Sequence, residues 1–312
     1  MILISSEAND FSTNDVIDWL LFYNRPFKRI NLEDDYNINF NLKKIIIKVN
    51  GSIIDVNLIK SYWYRRGKIS IKKRAINNID LLREYSVEEE ETLNQYLNKV
   101  IGNKKLNTHD TIFLNKLIVS DLASEVNMLV PKSYLLDNKQ DVEKILIKHP
   151  IITKGILQSN SFQNRKNNDL YISYTNRITK KDLNKIPNTF FPSLFQQEII
   201  KKYELRVFFL EKRFWSMAIF SQSNSKTMID FRRYDNKKPS RTVPYILSDE
   251  IKSKLLKLTS LLNINSGSID LIVEKTTNNI FFLEINPIGQ FGMTSYPCNY
   301  NIEKHIANFL SS

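Results

Sequence analysis

Short apolar runs alternate with amphipathic stretches along the chain. MILIS (1–5) predicts a strand, and STNDVIDWLLFY (12–23) a helix whose Ser12 and Asp15 fit a capping box. KKIIIKVNGSIIDV (43–56) reads as two strands joined by Asn50-Gly51, because both turn positions of a tight hairpin need positive φ. SYWYRRG (61–67) follows, then a helix over SVEEEETLNQYLNKVIG (86–102) opened by a Ser86…Glu89 capping box. TIFLNKLIVSDLASEVNML (111–129) has helical periodicity and stops before Pro131. SYLLD predicts a strand, DVEKILIKH a helix and PIITKGIL a strand, after which QSNSFQNRKNND (158–169) is too polar for core. YISYT resumes a strand, and FPSLFQQEII leads into the long strands of YELRVFFLEKRFWSMAIFS. SDEIKSKLLKLTSLLNI and IEKHIANFL predict helices on either side of a hairpin. Strands, hairpins and helices in this order predict an α+β protein with an α/β N-terminal domain. The expected divisions are 1–108, 109–192 and 193–312.

That hairpin carries candidate chemistry. GSIDLIVEK (267–275) and FFLEINPIGQFG (281–292) alternate on either side of the turn-like KTTNN. Residues two apart share a face, so Phe282, Glu284 and Asn286 fall on one side and Phe281, Leu283 and Ile285 on the other. A five-residue loop sets Asp270 opposite Glu284, and a three-residue loop sets it opposite Asn286. Either register gathers the three side chains, whereas a four-residue loop splits them. Two carboxylates and an amide oxygen suit Mg²⁺ shared with phosphates. A solvated hairpin face with one acid bonded to Asn286 fits the spacing equally.

Composition narrows the choices. A chain of 312 residues with 42% hydrophobic content is large enough for two or three domains. No apolar run reaches membrane-spanning length, MILISSEAND does not read as a signal peptide, and a single cysteine, Cys298, excludes an internal disulfide framework. A cytoplasmic location and no membrane partner are expected. The net charge of +12 favours an anionic partner, but the basic residues are dispersed and no nucleic-acid-binding signature occurs. His109, His149 and His305 are scattered, and Cys298 has no neighbouring His, so no nucleophilic triad is expected.

Further candidates lie upstream of the hairpin. Lys154 ends an apolar strand, where an ammonium can reach phosphate oxygens. Gln197-Glu198-Ile199-Ile200 joins two strands and can present backbone groups to an adenine edge. Glu204 and Arg206 share a strand face, the first able to accept from ribose hydroxyls and the second to hold an anion, unless they form a cross-strand ion pair. Arg232 and Arg233 sit in a polar loop suited to a phosphoryl group. SYWYRRG offers aromatic area and two guanidiniums to a peptide, or packs as a strand end.

In order, FLNKLIVSDLASE, a strand ending ITKG, FQQEIIKKYELRV, IDFRR, GSIDLIVE and FFLEINPIGQFG resemble the ATP-grasp superfamily, in particular the graspetide ligases. ILISSEANDFSTNDVIDWL, SYWYRRG and GQFGMTSYPCNY are most similar to the grasp-with-spasm peptide maturases, relatives of the microviridin ligases. The resemblance implies an ATP-grasp fold with the nucleotide between central and C-terminal subdomains. It implies Mg²⁺ on Asp270, Glu284 and Asn286, nucleotide phosphates at Lys154 and Lys116, adenine at Glu198–Ile200 and ribose at Glu204. Arg206 and Arg233, or Arg232, then hold the γ-phosphate or acyl phosphate. The implied activity is ATP-dependent activation of Asp or Glu side chains in a ribosomal precursor peptide, recognised through a leader beside an acidic core, with ester or amide crosslinks as products. A homodimer is favoured. Beyond Gly155 the region lacks the glycines many such proteins use to cradle phosphate, leaving Ser159, Asn160 and Ser161 as substitutes. Alternatives are a ligase adding amino acids to a peptide or protein tail, or a basic nucleic-acid-binding protein.

Overall fold

A computed structural model describes residues 1–41, 44–66, 80–156, 161–163, 169–172, 174–222 and 239–312. The chain divides into two compact units. The first comprises Met1–Phe113, Ile264–Gly267 and Pro287–Ser312, and the second Leu114–Asn263 and Ser268–Asn286. The C-terminal residues thus belong with the N-terminal ones, because the helix Ile302–Ser311 packs on the helix Phe11–Phe22.

In the first unit four parallel strands lie in the order Phe27–Asn31, Ile2–Ser6, Ser61–Tyr64, Lys104–Leu106. Central parallel strands are covered on both faces, and every residue of Ile2–Ser6 and Ser61–Tyr64 is accordingly buried. SYWY is therefore core, which removes its aromatic rings from any peptide-contact role. Arg65 is buried as well, its Nε donating to Asp10 Oδ2 at 2.9 Å. The Asn50-Gly51 hairpin forms as expected, with φ of 46° and 75°, inside a three-stranded antiparallel sheet. Neither expected capping box starts its helix. Asp10 is the N-cap of Phe11–Phe22, and Ser86 lies inside the longer helix Asp80–Val100.

Among the described residues the second unit holds three sheets, of four, five and two strands, the last pairing Ser161–Gln163 with Leu170–Ile172 antiparallel. Four strands are ordered Asn176–Ile178, Ile151–Lys154, Thr189–Gln197, Ser133–Asn138. One face, with Ile151, Ile178 and Phe195, packs on Val142 and Ile145 of the helix Lys139–Lys148. Thr189–Gln197 crosses the division expected at 192/193, so the change of sheet falls at residues 198–200. The five-stranded sheet runs Arg241–Tyr245, Arg213–Phe220, Lys201–Leu210, Ser266–Glu274, Ile280–Asn286. No helix among the described residues is long and apolar enough to cross a membrane.

Candidate metal and nucleotide site

The hairpin places Asp270 opposite Glu284 and Ser268 opposite Asn286. Near the turn the pairing is Val273↔Ile280, Ile272↔Phe281 and Leu271↔Phe282, the register that on its own would separate the acids. A bulge between Asp270 and Leu271 corrects it, leaving Leu283 without an opposite residue. The bulge also overturns the expected placement of Phe282 beside Glu284. Phe282 is buried across from Leu271, as Ile285 is across from Ile269, so Phe282 and Ile285 share the core face. Asp270, Glu284 and Asn286 are each half-buried.

Two cations from distant elements neutralise the paired acids. Arg206, on the strand next to Ser266–Glu274, donates from Nη1 to Asp270 Oδ1 and Oδ2 at 2.6 Å each. The pair is largely buried, the two side chains being 12% and 14% exposed, and Arg206 Nε is buried with no hydrogen-bond partner. Lys116 Nζ lies 3.6 Å from Glu284 Oε2. It occupies the first turn of the helix Lys116–Glu125, whose N-cap Asn115 accepts from the backbone N–H groups of Leu117 and Ile118. Among the described residues no three His, Cys, Asp or Glu side chains form a metal-binding group. The protein therefore offers two carboxylates and an amide, a hard-oxygen set that leaves positions for phosphate and water around an octahedral Mg²⁺. The chemistry of the donors fits that ion.

Glu204, two residues from Arg206, is 6% exposed. It accepts from Lys201 Nζ at 2.7 Å and from Ser221 Oγ at 2.8 Å. Burial pushes its carboxyl above the ordinary range, and the Asp270 charge adds to this, while Lys201 and Ser221 oppose it. These two donors leave lone pairs on both carboxylate oxygens.

On the other face of the four-stranded sheet, Lys154 and Ile152 share a side with their partners Arg177, Leu194 and Gln196, the last two buried. Arg177 Nε donates to Glu198 Oε2 at 2.6 Å, and its Nη2 donates to Oε1, a two-pronged contact. The 198–200 connection is anchored by Glu198 N–H to Pro150 O at 2.9 Å and Lys275 N–H to Ile200 O at 2.8 Å. Gln197 N–H donates to Lys132 O at 2.8 Å. Ile199 is buried, whereas Ile200 is 49% exposed and can cover a planar ligand.

Arg177, Lys201 and Ser221 are functional candidates that sequence reasoning missed. Arg177 and Ser221 gain their roles from partners brought by sheet pairing or chain reversal, whereas Lys201 meets Glu204 three residues on in the same strand, a contact that strand alternation does not predict. Arg232, Arg233, Ser159 and Asn160 lie outside the described residues, and the side chain of Ser161 is likewise not described. His149 hydrogen-bonds the Tyr134 hydroxyl at 3.1 Å and stacks on its ring, a structural role. Cys298 is buried, and burial raises its thiol pKa.

No family model and no curated protein matches the sequence. The fold does match solved structures along nearly the whole chain. The macrocyclase MdnC bound with precursor peptide MdnA from Microcystis aeruginosa MRC superposes with a TM-score of 0.82 at 24% identity, covering 99% of both chains. A Chryseobacterium gregarium RiPP-associated ATP-grasp ligase in complex with ADP, and a leader and core peptide, gives 0.81 at 21% identity, over 99% of this chain and 96% of that one. The macrocyclase MdnB from M. aeruginosa MRC gives 0.74 at 21% identity, over 99% and 98%. The chain has the fold of these ATP-grasp ligases.

Proposed function

We propose that the protein is an ATP-dependent ligase that activates Asp or Glu side chains of a precursor peptide and closes ester or amide crosslinks within that peptide. The observation that carries this reading is the level placement of Asp270 and Glu284, each beside a cation that can also meet phosphate oxygens. Further support comes from the proteins sharing the fold. MdnC was solved with its precursor peptide, the C. gregarium ligase with ADP and leader and core peptides, and the ligase PsnB with a minimal precursor, Mg and ADP.

In this reading the four-stranded sheet is the central subdomain and the five-stranded sheet the C-terminal one. Lys154 and Lys116 serve the phosphates, the 198–200 segment takes the adenine, Glu204 the ribose, and Asp270, Glu284 and Asn286 hold Mg²⁺. Magnesium, when bound, neutralises phosphate charge and orients the γ-phosphoryl group. Arg206 is placed to transfer its fork from Asp270 to the anion that forms next to it, with Arg232 or Arg233 as further anion holders. A substrate carboxylate oxygen attacks the γ-phosphorus and ADP leaves, giving an acyl phosphate. A Thr or Ser hydroxyl, or a Lys amine, of the same peptide attacks the acyl carbon, phosphate departs, and the nucleophile loses its proton. Positioning and charge neutralisation supply the catalysis, and no enzyme nucleophile is needed. The partner is a peptide with a leader and an acidic core attracted by the +12 charge; a homodimer in the cytoplasm completes the proposal.

Mass spectrometry of the co-encoded acidic peptide after incubation with enzyme and MgATP tests the reading. Loss of one water per crosslink is expected. Added amino-acid mass would instead place the enzyme among tail-extending ligases, and an unchanged peptide without ADP release would overturn it.

A further inference from the structure

Among the described residues, the Lys201–Glu204 contact is the most deeply buried ion pair of the second unit, with side chains 5% and 8% exposed. Its Lys201 Nζ to Glu204 Oε1 distance is 2.7 Å. Ser221, which directly follows the strand Arg213–Phe220 and is buried, donates to the other carboxylate oxygen at 2.8 Å. An unpaired carboxylate so enclosed would be costly, and one free to turn would lose its alignment with any ligand. Two donors from different elements, one on each oxygen, remove both problems.

We propose that Lys201 and Ser221 are positioning residues that set Glu204 as a reader of ribose hydroxyls and so make the enzyme selective for ribonucleotides. This rests on the ribose role of Glu204 proposed above. Lys201 opposes the effect of burial on the carboxyl, and its grip on Oε1 fixes the rotation of the group. Ser221 satisfies one lone pair of Oε2. The remaining lone pairs, aligned by these contacts, accept from the two hydroxyls of the sugar. A site built to accept from a hydroxyl rejects an analogue lacking it, since the acceptor is then left unsatisfied.

The test is binding of Mg-ADP and Mg-2′-deoxy-ADP to the full-length protein by calorimetry, which requires no peptide and no turnover. The native protein should prefer ADP at least about tenfold. Lys201→Met should bring the two affinities within about twofold of each other, mainly by weakening ADP, and Lys201→Arg should restore much of the preference. Ser221→Ala, a milder change for folding, should reduce the preference by about threefold. Glu204→Gln separates the two ideas. If it abolishes the preference while both Lys201→Met and Ser221→Ala retain it, the positioning roles are wrong and the ribose assignment stands. If Glu204→Gln keeps the preference, the ribose assignment falls and the positioning roles with it. Should Lys201→Met fail to fold, an unchanged preference in Ser221→Ala still overturns the proposal for Ser221, and an unchanged preference in Lys201→Gln overturns it for Lys201.

Discussion

Asp270 stands level with Glu284 because Leu283 is an extra residue in its strand. Continued from the turn, the pairing Leu271↔Phe282 would bring Leu283 against Asp270 and carry Glu284 toward the apolar side. The bulge returns the acid to the face bearing Asp270, and it leaves Phe282 and Ile285 together in the core. Two carboxylates held side by side repel unless cations intervene, and Arg206 and Lys116 do so.

On the proposed metal assignment, Asp270→Asn and Glu284→Gln should reduce peptide-stimulated ADP release by more than about 100-fold, since each removes a charge proposed to face the metal and phosphates. Both replacements keep the size of the side chain, so the circular dichroism spectrum should be unchanged. Retained ADP release in either variant would refute the metal assignment.

If Asp270 holds Mg²⁺ as proposed, Arg206 competes with that ion, since its Nη1 donates to both carboxylate oxygens. Arg206→Met should lower kcat by roughly 100-fold through loss of an anion holder. The same change should reduce the Mg²⁺ concentration giving half-maximal nucleotide binding, because a competing cation is gone. Arg206→Lys keeps the charge without the fork and should fall between. A Mg²⁺ requirement that rises in Arg206→Met would contradict the competition.

The acid hairpin was legible because its two strands are neighbours in sequence and its three polar side chains interrupt an apolar pattern. What the pattern left open was register, and the bulge that sets it has no residue signature, since Leu283 suits either face. The partners of the acids were less accessible. Arg206 is 64 positions from Asp270, and only the order of strands in the sheet brings them together. The capping boxes misled because long-range contacts and helix extension overrode a local motif. Asp10 is held by Arg65, 55 residues away, and the helix Asp80–Val100 begins before Ser86. SYWYRRG fits either a ligand surface or a packed strand end by composition, and for Ser61–Tyr64 the second holds, the rings filling a strand covered on both faces.

A pH dependence follows from Glu204. Its folded-state pKa is raised, burial being the largest cause, so between the ordinary carboxylate value and the raised one the folded protein holds a proton that the unfolded chain has released. Stability contributed by this group is therefore present below the ordinary value and declines as pH rises through the raised one. The thermal midpoint of the native protein minus that of Glu204→Gln should fall as pH rises above the ordinary carboxylate value. A difference that grows with pH over this range would mean that Lys201 outweighs burial.

Arg177 is the residue whose importance the sequence conceals most. It lies on the strand Asn176–Ile178, at the edge of its sheet, and reaches past Ile151–Lys154 to grip Glu198 with Nε and Nη2. Glu198 begins the segment proposed to read adenine, and its backbone N–H is already fixed by Pro150. The two contacts together hold the segment from both its main chain and its side chain. Arg177→Ala should raise the KM for ATP by about five- to tenfold, the value of a charge-assisted bond in a partly exposed pair. Lys at this position has the charge but cannot engage both oxygens in a plane, so Arg177→Lys should recover only part of the loss. Glu198→Gln should resemble Arg177→Ala, and the double variant should be little worse than either single one, because both changes remove the same contact. The KM for peptide should stay unchanged in all of them. Initial-rate kinetics with ATP and peptide varied separately distinguish this local effect from general damage, which would move both constants, and additive losses in the double variant would show that Arg177 and Glu198 act independently.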